Sequence, residues 1–261
     1  MEYDGTRYSG WQEQKNARTV AGEIQSAAQK ILGEEIELDG AGRTDSGVHA
    51  LAQVARLKAK KELKPVKLLN SLNQILPGDI HIISAEAVGP RFHPRHDAVR
   101  RFYLYQISLR RSAFWKKYVW WIREHLDLKA MQKASSLVVG AHDFERFADK
   151  RSEEGSTIVV VDRIEMEHRG SMILIRIGAS HFLWKMVRRI VGCLAQVGAR
   201  RLSVDDFAAL LNSAPLVKPL DQFSVASSTA PSSGLFLERV VYDDGEDPGP
   251  LAPALPNLFP F

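Results

Sequence analysis

The stretch GAGRTDSGVHA, residues 40–50, places a carboxylate and a guanidinium in a loop far longer than the two to five residues joining most hairpin strands. Gly40, Gly42 and Gly47 lack the Cβ that keeps a ligand away from the backbone. Asp45 is expected exposed at the tip, where a carboxylate is ionised at pH 7 without help and can act as nucleophile or base. A turn aspartate bonding its own backbone is the plainer alternative, and TDSG alone does not separate the two. The histidines offer a rival chemistry. His93, His96 and Asp97, joined by His49, His142, Asp143 and Asp45, would make a metal-dependent phosphohydrolase site. The proline within HPRH counts against it, as does the lack of an HxxxH helix or a cysteine cluster.

Charge points to a polyanion. The 261-residue chain carries +4, which rises to +8 without the four acids of residues 243–261. Residues 91–117 hold eight Lys or Arg against Asp97 alone, interleaved with Phe92, Phe102, Tyr103, Tyr105, Phe114 and Trp115. Cations among aromatics suit a phosphate backbone and unstacked bases, although an amphipathic strand with a solvated basic face has the same pattern. The acid-free stretch 182–201 adds Lys185, Arg188, Arg189, Arg200 and Arg201. A non-catalytic RNA-binding protein would keep these stretches without needing Asp45. One cysteine, no signal-peptide pattern and no apolar run near the ~18 residues of a membrane span indicate a soluble, cytoplasmic chain.

The elements that must position these residues read as α+β. Thr19 caps a helix over 19–32 that stops at Gly33, and short strands near 36–38 and 51–58 flank the Asp45 loop. Pro65 opens a helix over 65–75, followed by a strand at 79–87. RRFYLYQISLR alternates as a strand over 100–110, with Tyr103 and Tyr105 on one face. A helix over about 127–139, strands at 157–167 and 171–178, helices at 182–198 and 203–212, and a strand at 234–242 follow. In the 182–198 helix, Leu183, Met186, Val187, Ile190 and Leu194 form an apolar stripe, and Arg188 lies about 140° from it. Strands adjoin strands directly, so largely antiparallel sheet flanked by helices fits better than a doubly wound fold. Three segments are expected: an N-terminal α/β lobe (1–97), a C-terminal α/β lobe (98–242), and an acidic, proline-rich, disordered tail (243–261).

AGRTDSGVHA resembles the active-site loop of the tRNA pseudouridine synthase A family. EYDGTRYSGWQEQ (2–14), LPGDI (76–80), FHPRHDAVRRFYLY (92–105), FLWKMVRRIVG (182–192) and GLFLERVVY (234–242) resemble further segments of that family in the same order. The resemblance covers nearly the whole chain. It implies the pseudouridine synthase fold, two α/β lobes around a basic cleft, and isomerisation of uridine at tRNA positions 38, 39 and 40. It implies neither cofactor nor metal, and a homodimer in which one tRNA touches both subunits.

Residue roles follow from the same resemblance. Asp45 falls on the catalytic aspartate and Arg188 on its arginine partner. Tyr103 falls on the tyrosine that stacks on the target base and helps remove the C5 proton, whereas Tyr105 reads as core. Arg43 falls on the arginine that contacts RNA and extrudes the base. Arg7, Tyr8, Trp11, Gln12, Phe92, His93, Arg95, Arg100, Arg101, Lys185 and Arg189 are further candidate RNA contacts. Phe102 stands where many relatives carry a basic residue. Relatives also carry residues ahead of EYDG, so the first strand is expected to be short.

Overall fold

The computed structural model describes residues 1–61, 63–149, 156–212, 223–243 and 248–255. Along the chain run β1 (Glu2–Tyr3), α1 (Val20–Leu32), β2 (Glu37–Gly40), β3 (His49–Ala50), β4 (Ala55–Lys58), α2 (Pro65–Ile75) and β5 (Ile80–His81). Then come β6 (Arg100–Ser108), β7 (Trp120–Trp121), α3 (Leu128–Ser136), β8 (Gly140–Asp143), β9 (Ile158–Arg169) and β10 (Met172–Ala179). The series ends with α4 (Met186–Gly198), α5 (Val204–Leu211) and β11 (Leu235–Val241). The α+β class read from the sequence is the class observed.

The chain divides into two compact units, Met1–Val99 with Phe236–Glu246, and Arg100–Leu235 with Asp247–Phe261. In the first, β1 pairs antiparallel with β3 and β5, and β11 runs parallel to β3, with Phe236 opposite His49. β2 and β4 form a separate antiparallel ribbon. The strand expected over 51–58 is confined to Ala55–Lys58, and the two-residue strand His49–Ala50 lies in the stretch read as loop. The strand expected over 79–87 shrinks to Ile80–His81. The Thr19 hydroxyl accepts from the Gly22 amide at 3.2 Å, and Gly33 closes α1 at φ 68°. Val20, Ala21, Ile24, Ala27 and Ala28 are the buried stripe of this helix.

In the second unit β6, β10, β9 and β8 lie side by side, each pair antiparallel, and β7 pairs parallel with β6. β6 and β10 are covered on both faces, so even Arg101, Gln106 and Arg176 are buried. Residues 236–241, read from the sequence as part of the C-terminal lobe, cluster with the first unit, where they pair with β3. Tail residues 248–255, expected to be disordered, are tied down. Arg176, 1% exposed, donates to the Gly249 carbonyl at 2.8 Å, and the Ala254 amide donates to Gln106 Oε1 at 2.8 Å. Buried polar groups on the sheet face need partners, and the tail backbone supplies them. Residues 244–247 and 256–261 lie outside the described residues.

Candidate active site

Asp45 is half-buried rather than fully exposed, because residues 8–11 pack beneath its loop. The Trp11 amide donates to the Thr44 carbonyl at 3.0 Å, and the Gly47 amide donates to the Tyr8 carbonyl at 3.2 Å. The Ser46 hydroxyl donates to that same Tyr8 oxygen, and Val48 N–H closes a turn onto the Asp45 carbonyl at 3.1 Å. This approach requires glycine at position 10. Its φ is +102°, and a Cβ there would lie 2.6 Å from the Thr44 oxygen. Beneath the loop the hydroxyls of Tyr3 and Thr44 share a 2.8 Å hydrogen bond, and Gln53 Nε2 donates to the Gly42 carbonyl at 2.8 Å. His49 Nδ1 accepts from the Gly5 amide at 3.1 Å, and its ring stacks on Phe236 with centroids 4.7 Å apart. His49 is therefore core. The carboxylate projects from a backbone held on both sides, which is the preorganisation a catalytic group needs.

Tyr103 and Tyr105 point to the same face of β6 but differ in surroundings. Tyr105 is wholly buried and donates its hydroxyl to the Pro231 carbonyl at 2.8 Å. Burial pushes that hydroxyl well above its usual pKa, with a smaller opposing effect from Arg188. Tyr103 keeps 8% of its surface and meets Phe182 edge-on at 5.1 Å. On the other face Phe102 covers Gly178, where a Cβ would fall 2.4 Å from the Phe102 ring. Phe102 thus serves packing.

The helix expected over 182–198 starts at Met186. Lys185, at its N-cap, is left-handed (φ 63°), which lifts residues 182–185, Leu183 included, out of the apolar stripe. Arg188 is half-buried, and its Nε donates to the Ala230 carbonyl at 2.8 Å. The segment 228–231 reaches it because Gly192 has no side chain, and a Cβ there would sit 1.6 Å from the Ser228 oxygen. Ala230 and Pro231, which hold Arg188 and Tyr105, escaped the sequence reading. The glycine inside the helix was the available signal.

The other candidates separate by burial. Arg43, Arg7, Gln12 and Arg95 are exposed, Phe92, His93 and Arg100 half-buried. Phe92 packs against Tyr242 at 5.3 Å, while His93 Nδ1 accepts from the Arg95 amide at 3.2 Å. Arg100 Nε is 3.8 Å from Asp162. Four candidates turn inward. Trp11 is 2% exposed and lies over Gly40; Tyr8 is 3% exposed and donates its hydroxyl to Asp79. Arg101 gives Nη1 to the Ser180 carbonyl at 2.5 Å, and Arg189 bonds the Ala148 carbonyl. Burial, opposed by Asp149, lowers the Arg189 pKa. Lys185 is committed to Asp149 at 2.7 Å.

Among the described residues, no group of three or more His, Cys, Asp or Glu side chains could hold a metal ion. Nor is any helix among them long and apolar enough to cross a membrane.

The sequence profile of the tRNA pseudouridine synthase family matches residues 1–97 and 134–243, and the chain belongs to that family of tRNA-modifying isomerases. Its relatives narrow this further. The chain is 41% identical over 244 residues to tRNA pseudouridine synthase A of Thermoanaerobacter sp. (strain X514), an alignment covering 93% of this chain and 97% of the relative. Over the same shares it is 40% identical to tRNA pseudouridine synthase A of Rhodopseudomonas palustris (strain BisA53). The identity to that of Thermodesulfovibrio yellowstonii is 38%.

Proposed function

We propose that the chain isomerises uridines 38, 39 and 40 in the anticodon arm of tRNA, with Asp45 as the catalytic carboxylate. The C1′–N1 glycosidic bond breaks, the base turns, and a C1′–C5 bond forms. C5 loses its proton and N1 gains one, so composition and oxidation state are unchanged and no redox partner is needed. The Asp45 carboxylate either adds to the nucleotide or takes a sugar proton. Arg188 pairs with it and orients it. Tyr103 stacks on the base and assists loss of the C5 proton. Arg43 engages phosphate and helps hold the nucleotide out of its stack. The enzyme works in the cytoplasm as a homodimer.

The supporting observation is the bracing of Asp45, since a loop pinned by the Trp11–Thr44 and Gly47–Tyr8 backbone bonds suits a reacting group better than a spacer. Mapping pseudouridine in tRNA incubated with pure protein tests the reading. Modification at 38, 39 and 40 is expected, absent with Asp45→Asn. Modification confined to other positions would overturn the assignment to the anticodon arm.

A further inference from the structure

Between Asp97 and Glu124 the chain carries seven cations and no acid. Its later part leaves β6 and turns through Trp115–Lys117 into β7. Arg110, Arg111 and Lys116 are exposed, and among the described residues no carboxylate pairs with them. Phe114 is 87% exposed and Trp121 40%, although solvated aromatic rings contribute nothing to a core. The Arg110 guanidinium carbon lies 4.6 Å from the Trp115 ring centre, and that of Arg111 lies 5.5 Å from Trp121. Stacking fixes a guanidinium plane while leaving its in-plane N–H donors for phosphate. A groove of about 590 Å³ runs among Arg111, Lys116, Val119 and Trp121.

We propose that this surface is a second RNA site, which grips the tRNA ribose-phosphate backbone and stacks an unpaired base on Phe114 or Trp121, apart from the nucleotide undergoing isomerisation. The inference rests on tRNA being the substrate. Charge sign and flat exposed rings together match RNA, where each base offers a π-face and each linkage an anion. A second copy of the chain meeting this surface across a two-fold axis would set its cations against their own images.

The test uses the full chain in two variants, Arg110→Ala/Arg111→Ala/Lys116→Ala and Phe114→Ala/Trp121→Ala. Affinity for tRNA transcripts is measured between about 50 and 200 mM salt, beside turnover and light scattering. The charge variant should bind tRNA at least about tenfold more weakly and flatten the log–log salt slope by about 2. Its KM should rise while kcat stays within about twofold. The ring variant should lose about tenfold in affinity with its slope kept. Parental affinity and slope in both variants would overturn the proposal, as would a change of oligomeric mass, which would make the surface a subunit contact. A parent that binds tRNA but forms no pseudouridine would refute the functional reading instead, and the binding data would still judge this surface.

Discussion

Arg188 and Ala230 are bonded twice: the arginine Nε donates to the Ala230 carbonyl at 2.8 Å, and the Ala230 amide donates to the Arg188 carbonyl at 3.0 Å. The next residue, Pro231, accepts the Tyr105 hydroxyl. One short segment therefore fixes both the arginine and the strand carrying Tyr103. Arg188→Lys keeps the charge but loses the Nε donor and the planar fork. Turnover should fall at least about a hundredfold with tRNA affinity near parental, as misplacement of an orienting group predicts. Gly192→Ala forces the segment off the helix. It should cost about 2–3 kcal/mol in thermal or urea unfolding, and lower turnover in the fraction that stays folded.

Asp45→Asn preserves shape but is a poor nucleophile and a poor base. Tritium release from C5-labelled uridine in tRNA should become undetectable. Melting should be nearly unchanged, since the side chain adds little to the core. Binding of tRNA should hold or improve slightly with a negative charge removed. Substantial tritium release by the folded variant would sink the mechanism.

The two tyrosines of β6 should part company. Tyr103→Phe keeps a stacking face, so tRNA should still bind while turnover collapses. Tyr105→Phe leaves the Pro231 carbonyl without its donor, costing about 1 kcal/mol of stability with most activity retained. Equal activity in both variants would remove the hydroxyl from the mechanism.

A chain ending at Tyr242 tests the tail. It strips the Gly249 and Pro250 carbonyls from buried Arg176, the Ala254 amide from Gln106, and the side chain of Leu251, itself 1% exposed. A loss of about 2–4 kcal/mol in urea unfolding is expected, because a buried cation loses partners. An unchanged midpoint would mean the tail contributes nothing to the fold.

Local signals carried well from sequence to structure. The helix at 65–75 has the bounds that Pro65 and its periodicity indicate, and Thr19 with Gly33 bracket α1 as caps do. Errors arose where burial depends on distant segments. Alternation in RRFYLYQIS suggests one wet face, yet β10 and the layers around it leave Arg101 almost none. Tyr8 and Trp11 sit among polar residues, and only the approach of Thr44 and Gly40 shows that they turn inward. Lys185 takes a left-handed angle that no side-chain pattern signals, which delayed the start of α4. The Asp45 loop was legible by resemblance, whereas its brace from residues 8–11 was not.

The parallel pairing of β3 with β11 also governs the order in which a newly made chain becomes competent. β3 follows directly on the Asp45 loop, and its second neighbour is a strand made much later than β3 itself. Until residues 236–241 emerge, His49 lacks Phe236 as its stacking partner and β3 has an open edge. The loop therefore acquires its full support only after residues 236–241 have been translated, and such sequence-distant pairing is slow to form. A ribosome stalled before residue 236 would hold a chain with Asp45 already exposed but not yet firmly set.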